Sequence, residues 1–279
     1  MSNLATVFRR ECATYFNSPI GYIFLIVFVV INAVLHVTSF FRFPVAEMRS
    51  FFETMPILLS IFVPAVTMRL WAEERTENTI ELLLTMPMRP LSIVLGKYFA
   101  GVFFLLVALA GTFMYPLMLM ALGDPDLGQI ASAYLGAFLL GSLFLAVGTF
   151  ISSFSRDQIV AFVLSLLACF GFYLLGTDFV AVAIDQWVNG LGALLRDLAG
   201  VTSHYGVFVR GVIEVADLLY FIIWIGLFLF LNGMLIETRG RRSAKMLFAV
   251  APAGSLLVGI LFNSRVPGVS LGPYDMTGN

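Results

Sequence analysis

Apolar stretches long enough to cross a bilayer alternate with short polar segments along most of this chain. A membrane-spanning helix needs about 20 consecutive, mostly apolar residues. A weaker apolar run at 246–262, interrupted by Pro252, predicts a marginal seventh span. The expected fold class is therefore an all-α, polytopic membrane protein. Its core of six spans is predicted at 20–41, 54–71, 94–121, 130–152, 159–176 and 216–236.

An amphipathic segment, residues 1–19, precedes the first predicted span. Its apolar side chains recur at helical spacing on one face, whereas Arg9 and Arg10 lie on the other. That pattern is typical of a helix lying in the membrane interface. We therefore expect an N-terminal interfacial helix, with an apolar face that includes Phe8, Tyr15 and Phe16.

Two polar segments interrupt the apolar pattern. The first, 69–98, carries many charged side chains and predicts a helical hairpin that a soluble partner contacts. A solvated amphipathic loop at the lipid headgroups explains the same pattern equally well. The second, 177–215, contains charges such as Asp185 and Arg196 that interrupt every window of about 20 residues. We expect short amphipathic surface helices there.

Composition and charge support this topology. Hydrophobic residues make up 60% of the chain and charged residues only 12%, whereas soluble domains carry about 25% charged residues. Cytoplasmic loops are enriched in Lys and Arg. With the N-terminus in the cytoplasm, eleven of the 16 basic residues lie inside and five outside. This arrangement predicts a cytoplasmic 69–98 segment, an extracytoplasmic 177–215 segment, and a C-terminal part, 237–279, that runs from a basic cytoplasmic linker to an extracytoplasmic tail.

The sequence shows no constellation typical of catalysis or of metal binding. His36 and His204 fall in different predicted regions. Gly96 and Lys97 resemble the end of a phosphate-binding loop only superficially, because the first glycine and the final Ser or Thr are missing. We therefore expect a protein that is not an enzyme, that has no catalytic, cofactor-binding or metal-binding residues, and whose energy comes from another subunit.

Polar groups within the predicted spans are few. Asn32 and Asn232 lie near span ends, where structural roles outweigh functional ones, and the spans show no buried acid or base. That absence argues against an ion-coupled transporter. One span carries small residues at spacings of four, which permit close packing either within one subunit or between two. These residues are Ala133, Ala137 and Gly141.

Three segments of this chain resemble the permease subunits of type-2 ABC exporters. More specifically, they are similar to the branch containing the gliding-motility permease and the permease for nitrous oxide reductase maturation. The matching segments are RRECATYFNSPIGYI (9–23), AEERTENTIELLLTMPMRPLSIVLGKYFAG (72–101) and HYGVFVRGVIEVADLLYFIIWIGLFLFLN (204–232). In that family they are the connecting helix, the coupling segment and the region leading into the last span.

The resemblance implies a permease in the cytoplasmic (inner) membrane, paired with a second permease (an identical copy or a paralogue) and with two copies of a cytoplasmic ABC ATPase. ATP is then bound by the partner, and this chain needs no cofactor. The C-terminal segment also resembles the membrane anchor of an auxiliary subunit that has an extracytoplasmic domain. By position, the resemblance assigns the ATPase contact to Glu73, Glu74, Arg75, Thr79, Glu81, Leu82, Leu83 and Pro87.

Two functions are consistent with these features of the sequence. The first is an ATP-driven exporter, with a lipid-like or hydrophobic cargo favoured because the spans offer few polar groups. The second is a complex that transmits force to an extracytoplasmic partner without moving a solute. The same coupling segment serves both.

Overall fold

The computed structural model of this chain describes residues 3–42, 48–77, 90–123, 125–187, 190–238 and 274–275. Within them the chain is helical almost throughout. The expected seventh span at 246–262 lies outside the described residues, as does most of the expected hairpin beyond Glu77. The helices are α1 Asn3–Asn17, α2 Pro19–Arg42, α3 Arg49–Thr67, α4 Arg69–Thr76, α5 Pro90–Gly111, α6 Met114–Leu122, α7 Leu127–Ser152, α8 Gln158–Leu175, α9 Asp178–Asp185, α10 Leu191–Ala199, α11 Val201–Val209 and α12 Val215–Thr238.

Five stretches of the described residues are long and apolar enough to span a membrane. A sixth arises if α1 and α2, which meet at an angle of 73°, are counted together. The all-α, polytopic fold predicted from the apolar pattern is confirmed. The five stretches are Arg49–Thr76, Pro90–Ala121, Leu127–Ser152, Gln158–Leu175 and Val215–Ile236.

The predicted span at 94–121 is two helices, α5 and α6, separated by a turn at Thr112 and Phe113. Pro116 explains the position of the break. Proline lacks the N–H that would bond the carbonyl of Thr112, and its ring clashes with that carbonyl in a continuous helix. Because α6 begins only at Met114, Pro116 falls in its first turn, where an N–H has no helical partner.

Helix α7 is the centre of the bundle and packs against α3, α5, α8, α11 and α12. Ala133 and Ala137 are fully buried within this chain, and Gly141 lies against α5. A Cβ at Gly141 would fall 2.6 Å from Leu105 Cδ2, so any larger residue there would require Leu105 to move. The small-residue stripe therefore packs inside the subunit.

The ends of the bundle differ. The α4 end holds α4 and the turn between α7 and α8. The α11 end holds the short helices α9, α10 and α11 and a two-residue antiparallel pairing between β1 (Val212–Ile213) and β2 (Tyr274–Asp275).

The three short helices at the α11 end are not all on the surface. Phe179 on α9 is 83% exposed, whereas Tyr205 and Phe208 on α11 are buried. The hydroxyl of Tyr205 donates to the carbonyl of Phe52, 2.8 Å away, and Ser132 donates to the carbonyl of Phe208. Helix α11 is thus fixed between α3 and α7.

The C-terminus of α10 is held by side chains from α11 and α12. His204 contacts the Asp197 carbonyl through Nε2 at 3.0 Å, and its Nδ1 lies 2.6 Å from a carboxylate oxygen of Asp217. Tyr220 stacks on the ring of His204 and donates to the carbonyl of Ala199. These bonds satisfy carbonyls that a helix end leaves without partners.

Candidate functional site

Helix α4 extends the apolar helix α3 into a charged segment, RLWAEERT. The N–H of Met68, between the two helices, donates to the carbonyl of Pro64 at 2.9 Å, so the junction stays helical. One face of α4 is buried through Leu70, Trp71 and Ala72. Because α4 follows α3 directly, a displacement of α4 acts on a spanning helix.

Ser152 at the end of α7 anchors the start of α4. Its hydroxyl donates to the carbonyl of Met68 at 3.1 Å and accepts from the backbone N–H of Trp71 at 3.2 Å. The first N–H groups of a helix lack internal partners, and Met68 gives no side-chain cap of its own. Ser152, on α7, therefore caps the N-terminus of α4, a role that a side chain at the start of the helix itself usually has.

Two further residues of α4 bind the turn between α7 and α8. The guanidinium of Arg75 donates to the carbonyls of Ser153 and Phe154, the latter at 2.7 Å. The hydroxyl of Thr76 donates to the carbonyl of Arg156 at 2.8 Å. A cation at the end of α7 is also favoured by the negative end of that helix dipole.

The opposite side of α4 contacts a buried ion cluster. The cluster is Arg10 and Glu11 from α1, Glu74 from α4 and Lys97 from α5. The Lys97 ammonium lies 3.0 Å from a carboxylate oxygen of Glu11 and 3.0 Å from one of Glu74. It also donates to the carbonyl of Leu70 at 2.7 Å.

Arg10 completes the cluster from its exposed edge. Its guanidinium lies 2.6 Å from Glu74 and 3.0 Å from Glu11, and 54% of its side chain is exposed. The Lys97 side chain is only 2% exposed and also lies over the ring of Trp71, 5.1 Å from its centroid. Two cations thus neutralise two carboxylates, which a buried cluster requires.

The predicted interfacial residues lie beside this cluster. Phe8 and Phe16 contact Phe103 on α5, and Tyr15 stacks on Phe104 with ring centroids 5.0 Å apart. The apolar face of α1 therefore packs on α5. Arg9 is exposed, as expected.

One sequence expectation is wrong. The spans were expected to hold no buried acid or base, yet Lys97 lies two turns into α5 and Asp217 is buried in α12. Lys97 lies where the predicted polar segment 69–98 overlaps the predicted span 94–121, and Asp217 lies at the start of the predicted span 216–236, so both were read as residues at span ends. Lys97 is paired with Glu11 and Glu74, and a carboxylate oxygen of Asp217 lies 2.6 Å from Nδ1 of His204, so neither group is buried without a polar partner.

The predicted ATPase contact residues divide into three groups. Glu73 is 34% exposed and pairs with Arg69 at 3.5 Å, whereas Glu74 and Arg75 point into the contacts described above. The remaining five lie outside the described residues, so the contact itself stays a prediction. They are Thr79, Glu81, Leu82, Leu83 and Pro87.

Sequence reasoning missed four residues of this site: Glu11, Thr76, Lys97 and Ser152. A charge within the apolar face of α1 was the available signal for Glu11. Ser152 carried none, because a serine at a span end is ordinary. No group of three or more metal-binding side chains occurs among the residues that the structure describes.

Comparison with protein families gives a match that covers most of the chain. Residues 14–230 match the model of the ABC-2 family transporter protein, whereas a comparison with curated proteins finds no match. Permeases of this family are transmembrane subunits rather than ATPases, and they usually dimerise and work with a cytoplasmic ATPase. Because the match covers well over half of the chain, this protein belongs to the ABC-2 transporter family and is a multi-pass permease component of an ABC transporter.

Proposed function

We propose that this chain is an exporter permease in which α4 carries force from a separate ATPase into the membrane. The observation that supports this is the anchoring of α4 on both sides. Ser152 and Arg75 join it to α7 and the turn that follows, and Glu74 joins it to α1 and α5 through Lys97. A push on α4 therefore reaches several spanning helices at once.

The exposed side of α4 is the surface proposed to meet the ATPase. Glu73 and Glu77 are solvent-accessible, and the chain continues from them into the segment that resembles the coupling segment of type-2 exporters. Glu74 and Arg75 then transmit the movement rather than touch the partner. A solvated loop explains the sequence pattern of 69–98 equally well, but it does not account for the buried contacts of α4.

The proposal also includes the branch of the family, the other subunits and the orientation in the membrane. The branch containing the gliding-motility and nitrous oxide reductase maturation permeases supplies the expected architecture: two permeases, identical or paralogous, two ATPase copies and a possible auxiliary subunit with an extracytoplasmic domain. The location is the cytoplasmic (inner) membrane. The N-terminus and α4 are cytoplasmic, as the distribution of basic residues favours. The α9, α10 and α11 helices then cap the outer side of the pathway.

The pairing of β1 with β2 supports an extracytoplasmic C-terminus. Helix α12 starts near the α11 end and finishes at Thr238, about 36 Å further at 1.5 Å per residue. Tyr274 nevertheless pairs with Ile213 at the α11 end. We therefore propose that the C-terminal end of the chain lies on the same side of the membrane as the α11 end.

A lipid-like cargo is favoured because charged groups in the described spans are paired with other protein groups. Force transmission to an extracytoplasmic partner without transport remains the second candidate, and the β1–β2 pairing supports it, since it ties the C-terminal tail to the end where such a partner would act.

Replacing Glu73 with lysine tests the role of α4. Glu73 lies on the partly exposed side, so E73K should abolish most of the permease-dependent stimulation of ATP hydrolysis in a reconstituted complex, with the unfolding of the permease unchanged. The matched control is Glu214→Lys, an exposed charge reversal at the α11 end. Equal stimulation by E73K and wild type would refute the proposed contact.

A further inference from the structure

A cavity of about 250 Å³ opens between α3 and α11, at the end of the bundle away from the ion cluster. Small-molecule pockets usually measure about 300–1,000 Å³, so this one suits a headgroup-sized ligand. Its polar lining includes Arg49 and Glu53 from α3 and Arg210 from the end of α11. None of these side chains belongs to the site described above.

The walls of this cavity are held in place. The hydroxyl of Tyr205, which lines it, donates to the carbonyl of Phe52, and Gln129 donates to the carbonyl of Val209 at 2.9 Å. Gly211 adopts a φ of 85°, which ends α11 directly after Arg210 and which other residues rarely adopt. Arg210 is thus carried on a fixed backbone.

The charges of the cavity favour an anion. Arg49 and Glu53 form a pair at 2.9 Å, and both side chains are more than half exposed. Arg210 forms no ion pair with any residue that the structure describes. The lining therefore carries one net positive charge, and a guanidinium binds phosphate oxygens in a bidentate manner.

The surface of α3 below the cavity is apolar. Ile57 and Ile61 follow Glu53 at intervals of four residues and are 40% and 50% exposed. Residues four apart lie above one another on a helix. The same side of α3 thus presents charges at its end and exposed aliphatic side chains one and two turns deeper.

We propose that this cavity binds the phosphate diester headgroup of an anionic amphiphile, whose tail lies along Ile57 and Ile61. Arg210 holds the phosphate, and Arg49 contributes a second cation. The inference deepens the proposed export function, because it names the chemical class of the cargo favoured above.

The test is the binding of a short-chain phosphatidylglycerol to the full chain. The chain is purified together with the subunits that accompany it, and binding is measured without ATP. Loss of one charge-assisted contact should weaken binding by about tenfold in R210Q. E53Q should tighten binding, because it removes a competing carboxylate, and misfolding cannot produce opposite effects in the two variants. Arg196→Gln, at the same end but outside the cavity, should change nothing.

Two further probes separate the possible sources of the phosphate. Ile57→Ser should weaken phosphatidylglycerol binding without changing the binding of inorganic phosphate. If inorganic phosphate bound as tightly as the lipid, the proposal of an amphiphilic ligand would be wrong. It would also be wrong if phosphatidylcholine bound as well as phosphatidylglycerol and its binding did not change in R210Q. The readout is independent of ATP hydrolysis, so failure here is distinguishable from failure of the E73K experiment.

Discussion

Lys97→Met is the most informative perturbation of the ion cluster. Methionine keeps an unbranched apolar stem of about the length of the lysine stem and lacks the ammonium. In the structure that ammonium contacts Glu11, Glu74 and the carbonyl of Leu70 at 3.0, 3.0 and 2.7 Å. After the substitution, two largely buried carboxylates lose this cation, and the remaining cation of the cluster, Arg10, is half-exposed.

The magnitude follows from burial. Breaking a buried, hydrogen-bonded ion pair by removing one partner costs about 3–5 kcal/mol. The Lys97 side chain is 2% exposed, and those of Glu11 and Glu74 are 8% and 12% exposed, so K97M should fall in that range. Arg10→Met is the matched control, because a pair with one exposed partner contributes about 0–1 kcal/mol.

The assay is the free energy of unfolding of the chain in bicelles, measured for wild type, K97M, R10M and E74Q. The double variant K97M/E74Q removes one of the stranded carboxylates and should be more stable than K97M alone. The resulting coupling energy should be about 0.5–3 kcal/mol. A K97M cost no larger than that of R10M, with no coupling to E74Q, would refute the buried cluster.

Two other substitutions test packing and capping with the same unfolding measurement. Gly148→Ala places a Cβ 2.2 Å from the hydroxyl of Thr67 and should cost about 1–3 kcal/mol by overpacking, whereas Gly226→Ala meets no atom within 4 Å and should be nearly neutral. Ser152→Ala removes bonds to α4 and should cost about 1–3 kcal/mol. The buried hydroxyl of Ser165 has no partner among the described residues, so Ser165→Ala should cost little, and equal losses at both serines would contradict the anchoring role.

The spans were largely predictable, because long apolar windows report burial in lipid directly. Their ends were not. The predicted span 54–71 continues as α3 and α4 to Thr76, since Ser152 and Arg75 satisfy the polar groups of α4 from another helix. A short window of sequence does not show which distant residues will bond to these polar groups.

The ion cluster was unpredictable for the same reason. Glu11 and Lys97 are 86 positions apart, and each alone is typical of a solvated segment. Their burial depends on the bend between α1 and α2, which lays α1 on α5. Gly96 permits that approach, because a Cβ there would fall 2.7 Å from a methyl group of Val7. The fold class could be predicted from composition, whereas the site arises from packing between segments that are distant in sequence.

The dependence of this permease on a separate ATPase is tested most directly by affinity purification of the intact chain from its native membrane, with mass spectrometry of the proteins that accompany it. We expect a co-purifying ATPase with a phosphate-binding loop, in equal number to the permease subunits. A stable oligomer of this chain alone, with no ATPase bound, would show that the proposed coupling through α4 is wrong.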